Sequence, residues 1–173
     1  MTNEILQNII TRRSCKKYRS DPVPQELVEA VVEAGLYAAS GSNLQGAIIL
    51  AVTDKTTRDR LSRLNAKYDP MGRTDPFYNA PVVLAVLGDK TTGTGVEDGS
   101  LMMGNMMLAA HSLGLGSGWV NRARQTFDRP EGKALLEKWG LPERYRGVCN
   151  CILGYADEEP APKERLKGRI IKV

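Results

Sequence analysis

The chain has 173 residues, 42% of them apolar and 25% charged, with 9 prolines; this is the composition of one ordinary domain over residues 1–173 and excludes a disordered or fibrous chain. One histidine (His111) and three cysteines (Cys15, Cys149, Cys151) cannot supply a zinc site with paired Cys or His motifs, or the even cysteine framework of a small secreted domain. A formal net charge of +4 is too mild to imply a nucleic-acid partner unless it is concentrated.

Asn3 or Thr2 can cap a first helix in which Ile5, Leu6, Ile9 and Ile10 recur at helical spacing, ending near Arg12. The opening residues carry an acid and no basic run, so no targeting segment is expected and the protein is read as cytoplasmic. Pro22 and Pro24 announce a second helix through Leu27, Val28, Val31, Val32 and Leu36; Pro24 is tolerable in a first turn, whose amides lack internal partners. Residues 40–43 form a loop, and residues 47–52 are a continuous apolar run of strand length. A charged amphipathic helix at 56–66 precedes an irregular segment containing Pro70, Gly72 and Pro76, and Pro81 opens a strand at 82–87.

Residues 99–121 contain no charged side chain, but Asn105, His111 and repeated glycines argue against a membrane span. They read as a buried helix at 98–113 followed by a strand at 115–120. A helix at 130–139, a last strand at 148–153 and an extended arm at 156–173 complete the chain. Strands interleaved with helices indicate a mixed α and β domain with helices covering the sheet. The helix at 98–113 holds Met102, Met103, Met106 and Met107, and such adjacent pairs cannot all face one way on a 3.6-residue period. It is either the central core element or one that also faces a second subunit.

Cations are dense at both ends: Arg12, Arg13, Lys16, Lys17 and Arg19 near the start, and Lys163, Arg165, Lys167, Arg169 and Lys172 in the tail. If the chain is extended after the first helix, Arg12, Ser14 and Lys16 share a face, and two cations with a hydroxyl make a phosphate grip. On charge alone a solvated basic surface is the simpler reading.

The run from Arg12 through Tyr18, followed by Asp21, Pro22, Val23 and Pro24, resembles the opening signature of the nitroreductase family of flavin enzymes. Ala38, Ala39, Ser40, Gly41, Ser42, Asn43, Leu44 and Gln45 are similar to its second motif. Asn79, Ala80 and Pro81, then Glu97, Asp98, Gly99 and Asn105 ahead of the stretch from Leu108 to Gly116, and finally Leu153, Gly154 and Tyr155 continue the resemblance in order over nearly the whole chain. It implies an α+β fold with a central mixed β-sheet flanked by helices, an intertwined homodimer with a C-terminal arm, and FMN sites built from both subunits. By the same resemblance, Arg12, Arg13, Ser14 and Lys16 hold the phosphate and ribityl chain, with Lys163 and Arg165 neutralising the phosphate. Ser40, Asn43 and Gln45 approach from the partner subunit, and Arg73 and the backbone at Asn121 or Arg122 are further contacts.

The implied activity is an FMN-dependent oxidoreductase that takes electrons from NADH or NADPH and passes them, in alternating half-reactions, to an electrophilic small molecule such as a nitroaromatic or quinone. No metal, membrane or nucleic-acid partner is expected, and no triad is needed because the cofactor carries the chemistry. Gly46 and Ala47 stand where relatives have proline and an aromatic, and Asn121 and Arg122 where they have glycine or an acid. Those departures leave open a flavin-binding sensor or carrier without turnover. A basic nucleic-acid module is the weakest reading, since Tyr18 is the lone aromatic in the cluster. His111 reads as a core or interface residue, Trp119 as either bordering the flavin or, the simpler reading, filling core, and Cys149 and Cys151 as small buried residues sharing a strand face.

Overall fold

The structure, a computed structural model, describes residues 3–173; Thr2, the alternative first cap, lies outside them. Helix α1 (Glu4–Thr11) starts at Asn3, whose side-chain oxygen accepts from the Leu6 amide at 2.9 Å and so satisfies one of the orphan donors of a first turn. Helix α2 (Gln25–Leu36) begins just after Pro24, which occupies the cap rather than the first turn. There follow β1 (Ile48–Val52), α3 (Lys55–Ala66), β2 (Val82–Asp89), α4 (Gly95–Ser112), β3 (Gly116–Val120), α5 (Ala123–Asp128), α6 (Pro130–Lys138) and β4 (Tyr145–Gly154).

The sequence did not announce α5 or a 3₁₀ turn at Gly41–Asn43. Helix α5 is six residues long and has no side-chain cap, so nothing local marks it. It is held by burial of Ala123, Thr126 and Phe127, and by Gly147 of β4. A Cβ at Gly147 would stand 2.3 Å from the Ala123 carbonyl carbon, so only glycine lets the helix sit this close.

The sheet order is β1-β2-β4-β3 with every neighbouring pair antiparallel. The expectation of a mixed sheet is therefore corrected: parallel pairing among the described residues is confined to an isolated bridge between Ser14 and Ser117. That bridge does not grow into a strand because the chain leaves β3 at once. The Arg19 amide donates to Tyr155 O, and the Asp157 amide donates to Lys17 O, each at 2.9 Å.

Strand β2 is buried along its whole length, which explains its unbroken apolar sequence. Successive side chains point to opposite faces. Val83, Ala85 and Leu87 join Leu61 and Leu64 of α3 with Phe127 and Leu136, while Val82, Leu84 and Val86 join Val28 and Val31 of α2 with Met102, Met103 and Met106 of α4. The result is a sheet between two helical layers. Fully burying a leucine such as Leu84 or Leu87 contributes about 1.5–3 kcal/mol.

Helix α4 buries Met102, Met103 and Met106 but leaves Val96 and Leu101 exposed. Helix α1, which touches α4 through Asn8 Nδ2 donating to Leu108 O at 3.0 Å, buries none of its residues. Its Ile5, Leu6, Ile9 and Ile10 are between 43% and 71% exposed, so the molecule carries an apolar surface on these neighbouring helices. Beyond the bridge from Tyr18 to Ala156 the chain forms no helix or strand, and residues 161–173 are exposed. Among the described residues, no helix is long and apolar enough to cross a membrane.

Candidate functional site

The short stretch after α1 is extended beside β3, with the Cys15 amide donating to Ser117 O at 2.9 Å. Alternation then divides its side chains. Ser14 and Lys16 line a cleft of about 250 Å³ together with Arg73, Tyr78, Asn121 and Arg122. Arg13 turns the other way, toward a separate cavity of about 520 Å³ that includes His111 and Glu158. The approach is close because β3 is glycine-rich there: a Cβ at Gly118 would stand 3.1 Å from Cys15 O.

The expected shared face is therefore present for Ser14 and Lys16 but does not include Arg12, which is not among the residues lining the cleft, and Arg13 does not join it either. Its Nη1 donates to Ile10 O at 2.7 Å and Arg12 O at 2.9 Å, serving the orphan carbonyls at the end of α1. Arg12 Nη1 and Arg13 Nε are each buried with no hydrogen-bond partner among the described residues, an arrangement that favours an anionic acceptor. Burial lowers the pKa of His111, and the charges of Arg12 and Arg13 lower it further. Burial pushes the Cys151 thiol up to about 12 against the opposing pull of Arg12. Burial likewise raises Cys15, whose Sγ donates to Lys17 O at 3.0 Å, so this thiol packs rather than reacts.

The cleft opens into a hollow of about 670 Å³ over residues 71–74, with Lys16, Arg73 and Tyr78 common to both. Two polar residues just inside this wall hold it. Asn65, at the end of α3 and fully buried, donates Nδ2 to Asn121 O at 2.9 Å and accepts from Arg122 Nε at 3.1 Å. The Asp69 carboxylate is wholly covered; it accepts from Arg73 Nε, from Arg73 Nη2 at 2.8 Å and from the Met71 amide at 3.0 Å, with Arg122 Nη1 3.7 Å away. A turn from Asp69 through Pro70 to Gly72 (φ 65) sets this up, closed by the Gly72 amide on Asp69 O at 3.1 Å. The Arg73 hydrogen bonds outweigh burial and hold the Asp69 carboxyl well below the usual range, and Asp69 in turn raises Arg73.

Arg73 also donates to the Tyr78 hydroxyl and lies 5.4 Å above its ring. Tyr78 is presented by a loop built around Asp75, which accepts from Arg58 Nη2 and the Asn79 amide at 2.7 Å, the Phe77 amide at 3.0 Å and Ser62 Oγ. Burial alone would raise the Asp75 carboxyl, but hydrogen bonds from Arg58 and Ser62 bring it below its ordinary value. Tyr78, Asn79 and Arg122 have φ of 53°, 58° and 74°, a region that non-glycine residues occupy only where surroundings enforce it. Here Asp75 and Asn65 enforce it. The Arg122 amide is taken by Asn121 Oδ1 at 2.8 Å.

Ser40, Asn43 and Gln45 are not brought to this cleft within one chain. Ser40 Oγ accepts from the Gln45 amide at 3.0 Å and Asn43 Oδ1 from Gln45 Nε2 at 3.2 Å, so these side chains brace their own loop. That loop is pinned at the start of α4, where buried Asp98 accepts from the Gly41 amide at 2.9 Å. It therefore lies beside Asp89 and Thr92, the end of the sheet opposite the row of Ser117, Leu153 and Val82. Lys163 and Arg165 lie in the exposed tail, and among the described residues neither makes an ion pair or hydrogen bond.

Sequence reasoning missed Asn65, Asp69 and Tyr78 and left Arg122 as a backbone candidate only. The Asp-Pro-Met-Gly turn at 69–72 was the available signal for Asp69. Among the described residues, no group of three or more His, Cys, Asp or Glu side chains could hold a metal.

Comparison with known proteins bears on this arrangement. The profile of the Nitroreductase family matches residues 9–68 and 64–155. The NADPH-flavin oxidoreductase of Vibrio harveyi is 28% identical over 179 residues, covering 98% of this chain and 72% of that protein. Among solved structures, a nitroreductase with bound FMN from Bacteroides fragilis superposes with a TM-score of 0.87 at 31% identity, covering 99% of this chain and 100% of that one. Another with bound FMN, from Desulfitobacterium hafniense, superposes at 0.90 with 26% identity and full coverage of both. A profile match over most of the sequence and whole-chain superposition on such structures have one consequence: the chain belongs to the nitroreductase family.

Proposed function

We propose that the cleft lined by Ser14, Lys16, Arg73 and Arg122 binds FMN and that the protein is an NAD(P)H-dependent FMN oxidoreductase. The observation that carries this is the cleft itself, which gathers Ser14, Lys16, Arg73 and Arg122, with Arg12 Nη1 buried and unpartnered two residues before Ser14. A phosphate or an electron-rich ring edge answers both. The residues present fit the group. Arg12 and Lys16 bring charge, Ser14 a hydroxyl, and the cleft and its adjoining hollow have the size of a ligand site.

FMN, when bound, supplies hydride and electron transfer between the nicotinamide and an acceptor. The chain's part is to hold, orient and shield. Lys16 and Arg73 place positive charge at one edge of the cleft, favouring an electron-rich ring, and Tyr78 and the half-exposed Trp119 border its mouth. NADH or NADPH reduces the protein, departs, and an electrophilic acceptor, a nitroaromatic or quinone, is reduced in the same place.

The site is completed by a second copy of the chain. The loop carrying Ser40, Asn43 and Gln45 is remote from the cleft within one molecule, and the exposed apolar faces of α1 and α4 suit a homodimer interface. Residues 156–173 act as an arm that brings Lys163 and Arg165 to the phosphate, and the whole forms one domain working in the cytoplasm.

The test is a spectrum of the purified protein, before and after FMN addition and desalting, followed by anaerobic titration with NADH and with NADPH. The expected result is a retained yellow chromophore that bleaches near-stoichiometrically with at least one donor. A colourless protein overturns the proposal; a yellow protein that neither donor bleaches is the sensor or carrier instead.

A further inference from the structure

The geometry points to Asp69 as a positioning residue that sets the redox balance of the bound flavin, by holding Arg73 and Arg122 together and offsetting their charge. This rests on the FMN reading above. Asp69 is not part of the cleft lining, yet both guanidinium groups that it contacts are.

Three features make the arrangement more than a surface ion pair. First, the carboxylate has no solvent contact of its own: its side chain is fully covered, while Arg73 remains about one-third and Arg122 about one-eighth exposed on the cleft side. Second, its contacts are directional. Arg73 is gripped through both Nε and Nη2, the planar two-point geometry specific to guanidinium, and then reaches Tyr78 with Nη1. Third, the neighbouring Asn65 fixes Arg122 and the Asn121 carbonyl from the same end of α3. The cleft thus meets a triad of two cations and one anion whose net charge is +1.

Two-electron reduction of FMN places negative charge on its ring system near neutral pH. Two unshielded guanidinium groups favour that state strongly; a buried carboxylate between them moderates it. At an effective dielectric of about 20, losing one unit of negative charge at a separation on the order of 10 Å, the depth of one layer of side chains behind a cleft, changes a charge-coupled equilibrium about tenfold. In Asp69→Asn the surviving Oδ1 can still accept from Arg73 Nη2 and the Met71 amide, while the bond from Arg73 Nε is lost together with the charge.

The experiment measures the affinity of the FMN-free protein for oxidised and for reduced FMN, with the reduction midpoint of the bound cofactor as an independent check. Relative to the wild-type chain, Asp69→Asn is expected to favour reduced over oxidised FMN by about tenfold, a midpoint about 30 mV more positive for a two-electron couple. Asp69→Glu, which restores the charge, is expected to return most of the shift. Arg73→Gln removes a cation while leaving Asp69 charged and is expected to move the ratio the opposite way; it carries the test if Asp69→Asn does not fold. An unchanged ratio in a folded Asp69→Asn that binds FMN overturns the inference, as does an unchanged ratio in Arg73→Gln. A wild-type chain that binds no FMN overturns the functional reading and this inference with it.

Discussion

Replacing Asp75 with alanine removes the carboxylate on which four groups converge: Arg58 Nη2, Ser62 Oγ and the amides of Phe77 and Asn79. Arg58 is the decisive partner because its side chain is only 7% exposed, and breaking a buried pair from one side leaves a charge uncompensated, which costs about 3–5 kcal/mol. Two details place this case at the lower end. Arg58 keeps its bonds to Ala80 O at 2.9 Å and to Asp59 at 3.2 Å, and Asp75 is itself 23% exposed. The expected loss is therefore about 3 kcal/mol, or a Tm lower by about 6–12 °C for a chain of this size. Urea unfolding followed by circular dichroism, at fixed protein concentration, measures it. Combining Asp75→Ala with Arg58→Met removes the stranded charge, so the double variant should be less destabilised than the two single losses added together, by about 1–3 kcal/mol. A single loss under about 1 kcal/mol, or strict additivity of the pair, refutes the reasoning.

Acid provides a second check on the same carboxylate. Because the folded value of Asp75 lies below its ordinary one, its contribution is complete above the unfolded value near pH 4 and is lost as pH falls through the folded value. Wild type should lose more stability than Asp75→Ala between about pH 5 and about pH 2; equal losses contradict the assignment. His111 is the chain's one histidine, so its proton NMR signal is unambiguous. It should titrate below about 6.5 and shift upward in Arg12→Gln, because Arg12 is one source of the lowering; an unmoved midpoint would place Arg12 elsewhere. The same Arg12→Gln variant should bind FMN about 10- to 100-fold more weakly by fluorescence titration, the range expected for one charge-assisted contact. Lys163→Glu should weaken FMN binding in the same direction, and unchanged affinity would remove the tail from the phosphate.

Apolar pattern and punctuation made most of the framework readable. Strand β2 is legible because it is buried on both faces, and α4 because four methionines and no charge follow Asp98. Failures share a cause: polar residues serving the interior are written in the same letters as polar residues facing water. Arg58, Ser62 and Asn65 belong to a helix whose composition is that of a solvated surface, yet all are buried. Their role depends on Asp75, Asn121 and Arg122, partners supplied by distant turns. Helix α5 escaped for a related reason, since its position is set by Gly147 in another strand rather than by its own cap. Motif resemblance named Ser14, Lys16 and Arg73, which line one cleft, but it could not show that Arg13 would be drawn back onto the end of α1, a matter of which carbonyls lack donors.

The pleat of the short stretch beside β3 has one more implication. Because Arg13 serves one hollow and Ser14 and Lys16 another, inserting a single residue between Arg12 and Arg13 would shift the register by one, sending a guanidinium and a thiol where a hydroxyl and an ammonium now stand. Point changes at 14 or 16, in contrast, touch one compartment and leave the other alone. Length in this segment is thereby constrained more tightly than letter, and variation in grip can accumulate without disturbing what lies behind it.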